Sequence, residues 1–182
     1  MTVRHARDED ARSIAEIHVR SWQAAYRGIV PDELLDGLSV SERESRWRAL
    51  LAAGEGLWLT LVAERDGGLA GFCSVATPNR EAGATERTAE IGALYVDPSR
   101  WRRGAGGAML TAALAELSEH RFRDVILWVL PENHAALAFY ERFSFEVEKG
   151  VEKIEERSGR PVIRLRTNLP PVLRSSGEGL HA

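Results

Sequence analysis

The first 55 residues of the chain repeat apolar positions every three or four residues, a pattern that is typical of amphipathic helices. A first helix is predicted directly after the acidic residues 8–10, because a helix amino terminus favours negative charge. Gly28 and Pro31 interrupt that helix. Apolar residues within 34–38 and 41–51 indicate two further helical pieces. The amino-terminal region is therefore predicted to be mostly helical.

The pattern changes to β structure at residue 57. Apolar runs lie on both sides of the turn Asp66-Gly67-Gly68, which predicts a β-hairpin. A polar loop separates this hairpin from a further strand, which Asp97-Pro98 ends. The predicted elements are the hairpin strands 57–63 and 69–75, the loop 78–87 and the strand 89–96.

The second half of the chain alternates helices and strands. A helix from near Gly104 to near His120 carries leucines and alanines at i, i+3, i+4 and i+7. Residues 125–130 are apolar without alternation, which predicts a strand that is covered on both faces and central in its sheet. The last predicted elements are a short helix that starts at 131–133 and the antiparallel strands 145–154 and 162–166.

This order of elements predicts a mixed α/β fold, in which one sheet has helices on both faces. The chain has 182 residues, of which 44% are hydrophobic and 28% charged, and this suits one domain. We expect that domain to span residues 1–169. Residues 170–182 have too little apolar content to pack and are expected to form a mobile tail.

Charge and cysteine content exclude several classes of function. The chain has 24 lysines and arginines against 27 acids, so its net charge of −3 offers no broad attraction to nucleic acid or to an anionic membrane. Cys73 is the single cysteine, which excludes an internal disulfide and a multi-cysteine metal site, and no metal is expected. No apolar run approaches the roughly 20 residues of a membrane span, and residues 1–5 lack a signal-peptide core. We expect a cytoplasmic protein.

The segment between the predicted strand 89–96 and the following helix is rich in glycine. Glycines at the start of a helix expose backbone N–H groups beside the positive end of the helix dipole, which suits a phosphate or pyrophosphate. Arg102 and Arg103 add positive charge there. A tight turn that merely starts a helix is the alternative. Ala108-Met109 stands where a P-loop needs lysine and serine or threonine, and Met109 also breaks the dinucleotide fingerprint, so both patterns are disfavoured.

Two motifs in order along the chain resemble the GNAT family of N-acetyltransferases, over roughly residues 2–168. The family's phosphate loop is Arg or Gln, two residues, Gly, any residue, then Gly or Ala. Arg103-Gly104-Ala105-Gly106 matches its second half, and Trp101 stands at its first position. The run from Asn133 to Tyr140 matches the family's Asn-x-x-Ala-x-x-Phe-Tyr helix. The resemblance implies a mixed, mostly antiparallel sheet of six to seven strands with helices on both faces.

The resemblance also implies an activity. The protein would move an acetyl group from its co-substrate acetyl-CoA directly to a primary amine of a small molecule, a peptide or a protein. A non-catalytic module that binds or senses acyl-CoA is the alternative. A homodimer is expected by analogy with the family. The residues implied to bind acetyl-CoA are Leu94, Tyr95, Val96, Arg102, Arg103, Gly104, Ala105, Gly106, Gly107 and Asn133.

Two residues are implied to be catalytic. Tyr140 is the candidate general acid, because a phenol with a pKa of about 10 can donate to the departing thiolate; packing in the core is the alternative. Glu90 resembles the family's strand glutamate that acts as general base, directly or through water, with a structural or exposed glutamate as the alternative. His18 could act as the base instead. Cys73 is interpreted as a buried hydrophobic residue, which favours direct transfer over an acyl-enzyme.

The first helix carries a stripe that mixes aromatic and polar residues. His18 and Trp22 are four positions apart on one helix face, and Tyr26 extends the stripe. In the family the first two helices cover the acceptor side of the thioester, so this stripe is predicted to form one wall of the acceptor site. Packing within the core is the alternative for all three residues.

Overall fold

The structure is a computed structural model that describes residues 1–53, 59–76 and 83–170. Its helices are α1 (Ala11–Ala25), α2 (Asp32–Asp36), α3 (Val40–Ala53), α4 (Ala105–Glu119) and α5 (His134–Glu141). Its strands are β1 (Thr2–His5), β2 (Leu59–Arg65), β3 (Gly68–Ala76), β4 (Thr88–Val96), β5 (Asp124–Val129), β6 (Glu146–Ile154) and β7 (Pro161–Asn168). Within these residues, no helix is long and apolar enough to cross a membrane.

These elements follow the predicted order. The helical pieces predicted over 34–38 and 41–51 are α2 and α3. The short helix predicted from 131–133 begins slightly later, at His134, because Asn133 is its cap: the Asn133 side-chain oxygen accepts a hydrogen bond of 3.1 Å from the Ala136 N–H. Portions of three predicted elements lie outside the described residues, namely positions 57–58, 78–82 and 171–182.

The seven strands form one sheet in the order β1-β2-β3-β4-β5-β7-β6. Only β4 and β5 are parallel, and all other neighbours are antiparallel. The predicted mixed and mostly antiparallel sheet is confirmed. Strand β5 lies between β4 and β7, and its residues Val125, Ile126 and Leu127 are buried. An inner strand needs apolar side chains on both faces, which explains its unbroken apolar sequence.

Helices cover the sheet on both faces. On one face, Met109 and Leu110 of α4 and Tyr140 of α5 pack against the central strands. On the other face, Ile14 of α1 and Trp47 of α3 pack against β2 and β3. These two layers are called the α4 face and the α1 face below.

A β-bulge in β4 changes which face its side chains occupy. The strand pairing with β3 shifts by one residue around Gly92. Ile91 therefore packs on the α4 face, whereas Ala93, two positions later, packs on the α1 face. Glu90 and Tyr95 are five positions apart and would lie on opposite faces of a regular strand. The bulge places both on the α1 face.

Candidate active site

Strands β4 and β5 pair over only a fraction of their length. Their Cα partners run from Thr88 opposite Asp124 to Ile91 opposite Leu127. Beyond Ile91, β4 continues to Val96, while the end of β5 pairs with β7 alone. Among the described residues, no strand fills the opening between residues 92–96 of β4 and 128–130 at the end of β5. We call this opening the strand gap.

The backbone groups of two residues of β4 are directed into the strand gap. The Asp97 N–H donates a hydrogen bond of 2.8 Å to the carbonyl of Ala70 in β3. Because the backbone groups of successive residues alternate between the two edges of a strand, those of Tyr95 also point to β3, and those of Leu94 and Val96 point to the gap. Leu94 and Val96, both predicted to bind acetyl-CoA, therefore lie with their backbone along the gap, whereas Tyr95 can reach a ligand only through its side chain.

The turn after β4 is fastened to the end of the strand. The Trp101 indole N–H donates to the Val96 carbonyl at 2.7 Å, and the Ser21 hydroxyl donates to the same carbonyl at 2.9 Å. Trp101 is 43% exposed and occupies the position at which the sequence departs from the family's phosphate loop. Its side chain thus closes the turn that carries the glycines.

Helix α4 begins directly at that turn. Gly104 and Arg102 have φ of 88° and 59°, in the left-handed region, and Gly104 precedes the first helical residue. The first N–H with a partner inside the helix is that of Ala108, which donates to the Gly104 carbonyl at 3.0 Å. The N–H groups of residues 105–107 are consequently directed out of the helix end, beside the exposed Arg102. This end suits an anion.

Tyr140 of α5 is 8% exposed and packs its ring against Phe139 and Phe145. Burial raises the pKa of its phenol well above the usual value, with smaller contributions from Cys73 and Tyr95. The hydroxyl therefore keeps its proton at any working pH. Cys73 is fully buried, and burial raises the pKa of its thiol to about 12. A thiol that stays protonated is a poor nucleophile.

Aromatic side chains on the α1 face form one hydrogen-bonded network. The Trp22 indole N–H donates to the Tyr95 hydroxyl at 2.9 Å, and the Tyr26 ring lies edge-on to Trp22 with 5.0 Å between ring centroids. The His18 ring stacks on Tyr95 at 5.0 Å, and its Nδ1 accepts a hydrogen bond of 3.2 Å from the Trp47 indole. The network explains why a helix core uses polar aromatic residues here, because the indole N–H groups of Trp22 and Trp47 both find acceptors within it.

Glu90 is half-buried on β4, on the α1 face that Tyr95 also occupies. Its strand partner is Ile126 of β5, and the two strands separate just beyond it, after Ile91. Glu90 thus stands beside the point where the strand gap opens. Among the described residues, no group of three or more histidines, cysteines and acids is arranged to hold a metal ion.

Comparison with known proteins decides the family. Residues 11–145 match the acetyltransferase (GNAT) family. The chain is 32% identical over 146 residues to the uncharacterized N-acetyltransferase YuaI of Bacillus subtilis, and the match covers 80% of each protein. The chain belongs to the GNAT family. It is an N-acetyltransferase that uses acetyl-CoA as its co-substrate.

Solved structures share the GNAT fold. The PaiA N-acetyltransferase of Thermoplasma acidophilum, in complex with coenzyme A, has a TM-score of 0.71 at 20% identity and covers 90% of this chain and 96% of its own. YncA of Salmonella typhimurium, with acetyl-CoA, has a TM-score of 0.70 at 20% identity, covering 97% and 98%. At this level of identity the likeness concerns the fold.

The GNAT fold brings most of the predicted site residues to the strand gap. The backbone of Leu94 and Val96 and the start of α4 border it, and Asn133 caps the helix that carries Tyr140. His18 and Trp22 are instead 9% and 8% exposed, so the network described above accounts for both. Of the predicted acceptor wall, Tyr26 keeps a half-exposed side chain.

Sequence reasoning missed two features of the site. The Trp101 and Ser21 hydrogen bonds to Val96 have no signal in the sequence, because each depends on how the turn and α1 pack against the end of β4. Arg43 is buried on α3 beside Trp22, and here a signal exists. It lies at helical spacing between the apolar Val40 and Trp47, so a charged residue occupies a core position.

The burial of His18 predicts a pH dependence of stability. Burial, with smaller contributions from Arg157 and Arg46, lowers its pKa from 6.5 to about 3 in the folded state. The unfolded chain therefore binds a proton from pH 6.5 downwards that the folded chain rejects, and stability falls with pH. The expected loss between pH 7 and pH 5 is about 2 kcal/mol. Urea unfolding at both pH values measures it.

The control for that prediction replaces the imidazole of His18 with an aromatic ring that does not titrate. His18→Phe should be less stable at all pH values, because Trp47 loses its acceptor, but should lose less stability between pH 7 and pH 5. His134→Phe, the same change at an exposed position, should keep the wild-type slope. A wild-type slope in His18→Phe would show that another group titrates.

Proposed function

We propose that this protein transfers an acetyl group in a single step from acetyl-CoA to a primary amine, with both substrates meeting at the strand gap. One observation carries the proposal: β4 leaves its parallel partner after Ile91 and directs the backbone of Leu94 and Val96 into the opening, at whose end α4 begins. An extended ligand can add to such an edge as a strand does, with its anionic end on the helix terminus.

The residues present fit acetyl-CoA. The outward N–H groups of residues 105–107 would hold the pyrophosphate, with Arg102 and Arg103 as flanking charges. Leu94 would bind the pantetheine arm through its backbone groups and Val96 through its N–H, because the Val96 carbonyl already accepts from Trp101 and Ser21. Asn133 borders the same opening. The co-substrate supplies a thioester, whose carbonyl carbon is open to attack by an amine.

Tyr140 would protonate the leaving thiolate. Burial disfavours an anion at this depth, as the raised pKa of the nearby Cys73 thiol illustrates. A thiolate formed there is poorly solvated, and the phenolic O–H, which burial keeps protonated, would donate a strong hydrogen bond to the sulfur as the C–S bond breaks. The high pKa of Cys73 also argues against an acyl-enzyme, in line with direct transfer.

Glu90 would accept the amine proton, directly or through water. An amine is protonated at neutral pH and must lose that proton to become a nucleophile. Glu90 stands at the mouth of the strand gap on the α1 face, where Tyr26 lines the same side. His18 is a weaker candidate, because a pKa of about 3 makes it a poor base.

The direct test is turnover with a panel of amines. Thiol release from acetyl-CoA is followed with small amines, amino acids and peptides, and the acetylated product is identified by mass spectrometry. Amine-dependent release is expected. Tight acetyl-CoA binding without turnover on any amine would favour the module that binds or senses acyl-CoA, which the family match does not support.

Replacing the base predicts a specific pH profile. Glu90→Gln should lower kcat/KM for the amine by about 10²-fold at pH 7, because proton removal loses its acceptor. The deficit should shrink as the pH approaches the amine's own pKa, where the nucleophile is already neutral. Acetyl-CoA affinity should not change. Glu86→Gln, the same change at an exposed position just before β4, is the control. A pH-independent deficit would make Glu90 structural.

The nature of the acceptor is a further aspect of the proposal. The chain is 35% identical over 150 residues to a mycothiol acetyltransferase of Acidimicrobium ferrooxidans, but it covers 43% of that protein. Such a partial match does not carry that protein's acceptor over to this chain.

A homodimer and a cytoplasmic location remain predictions from sequence and family.

A further inference from the structure

Arg43 is a buried cation without a partner among the described residues. It projects from α3 towards α1, is 8% exposed, and places its guanidinium carbon 5.5 Å from the centre of the Trp22 ring. Within residues 1–53, 59–76 and 83–170, the Arg43 guanidinium makes no hydrogen bond and no ion pair. Arg164, the other deeply buried arginine of these residues, pairs with Glu148 at 2.7 Å. Arg43 is thus the exception.

An unpaired buried guanidinium needs an explanation. Arginine does not lose its proton in proteins, so burial cannot neutralise it. The Trp22 ring faces the cation and offsets some of the desolvation cost, but it satisfies none of the five N–H donors. A ligand that is absent from the folded chain alone would supply the missing acceptors.

The guanidinium is open to such a ligand. Among the described residues, the fully buried side-chain N and O atoms that lack a hydrogen-bond partner belong to Thr60, Trp128 and Arg160. The nitrogens of Arg43 are not among these fully buried atoms. Its nitrogens therefore keep some contact with solvent, although most of the side chain is covered.

Arg43 lies on the predicted acceptor side. The Trp22 ring contacts the Arg43 guanidinium, its indole N–H donates to the Tyr95 hydroxyl, and it packs edge-on against Tyr26. Trp22 also packs in a cluster with Leu130 at the end of β5, so this aromatic layer reaches from Arg43 to the strand gap. The alternation of β4 and its bulge place Glu90 on the same face.

We propose that Arg43 binds an anionic group of the acceptor, so that the acceptor is an amine that also carries a carboxylate or a phosphate. The inference rests on the proposed function, since it assigns the substrate class of that same site. The planar guanidinium fork suits both groups, because each offers two oxygens in the matching geometry. The amine would lie towards Glu90 and the anionic group towards Arg43.

The test compares amines that differ only in the acidic group. Phenylalanine against phenethylamine and alanine against ethylamine test a carboxylate, and phosphoethanolamine against ethanolamine tests a phosphate. For the wild-type protein we expect kcat/KM to favour the acidic member of at least one pair by about 10-fold or more. In Arg43→Met, which keeps the length of the stem without charge, the acceptor KM for that member should rise about 10- to 100-fold and the preference should vanish.

Two controls separate recognition from folding. Arg46→Met makes the same change at an exposed position of the same helix and should keep the preference. Arg43→Met should not lower the unfolding temperature, because it removes an unpaired charge from the interior. If that variant nevertheless fails to fold, Arg43→Lys decides: it keeps the charge, loses the fork, and should lose most of the preference.

The outcomes distinguish this inference from the proposed function. Equal use of both members of every pair, or a preference that survives in Arg43→Met, would overturn the role of Arg43 while acetyl transfer stands. Absence of transfer to any amine would overturn the proposed function. In that case the unfolding temperature is measured with and without phenylalanine or phosphoethanolamine. A rise that is lost in Arg43→Met supports an anion site at Arg43. The absence of any rise in the wild-type protein overturns that site.

Discussion

Replacing Tyr140 with phenylalanine should lower kcat by about 10²-fold or more, with little change in acetyl-CoA affinity. The change keeps the ring, which packs against Phe139 and Phe145, and removes only the hydroxyl. Without that proton the thiolate would leave as an anion in an apolar layer, where burial already holds the thiol pKa of Cys73 at about 12. Steady-state kinetics with a saturating amine and calorimetry of acetyl-CoA binding measure the two effects.

Tyr95→Phe is the matched comparison for Tyr140→Phe. Tyr95 is a second, partly buried tyrosine near the strand gap, but its hydroxyl accepts the Trp22 indole N–H. Removing that acceptor leaves a buried donor unpaired and should lower stability by about 1–3 kcal/mol. The loss of kcat should be much smaller than in Tyr140→Phe. Equal losses in the two variants, or full activity in Tyr140→Phe, would assign Tyr140 to the core.

Most of the fold could be predicted because its local signals agree. The acids before α1, the Asp66-Gly67-Gly68 turn and the unbroken apolar run of β5 each indicate one structure, and the observed element has that structure. The bulge at Gly92 could not be predicted, since a glycine within a strand is equally compatible with regular pairing. Yet the bulge decides that Glu90 and Tyr95 share the α1 face.

Sequence indicates the geometry of the candidate site where that geometry is local in sequence and not where it depends on distant contacts. The start of α4 presents its N–H groups within a few residues, so a glycine-rich run is enough to indicate it. The roles of His18 and Trp22 depend on Trp47 and Tyr95, which lie 29 and 73 residues away in sequence. A helical stripe cannot tell a satisfied core histidine from a binding residue, because both occupy the same helix face.

The anion site at α4 makes the second large prediction. Gly106 lies in the first turn of α4, and a Cβ placed there would meet Val96 Cγ2 at 3.5 Å and the Phe139 ring at 3.6 Å, which are ordinary contacts. Gly106→Ala should therefore fold, with a gain in stability of up to about 1 kcal/mol because alanine favours a helix. Its acetyl-CoA affinity, expected to be micromolar in the wild type, should change by only a few fold.

Gly106→Asp adds a negative charge at the same position. A carboxylate in the first turn of a helix is favourable for the helix itself, so the variant should stay folded. The same charge would lie beside the pyrophosphate and should weaken acetyl-CoA binding by at least about 10²-fold, or roughly 3 kcal/mol. The acetyl-CoA affinity of Gly106→Asn, whose side chain is equal in size to Asp and neutral, should lie between those of the Ala and Asp variants. Added salt should reduce the difference in affinity between the Asn and Asp variants. Calorimetry measures the three constants, and an Asp variant that binds like the Ala variant would place the pyrophosphate away from α4.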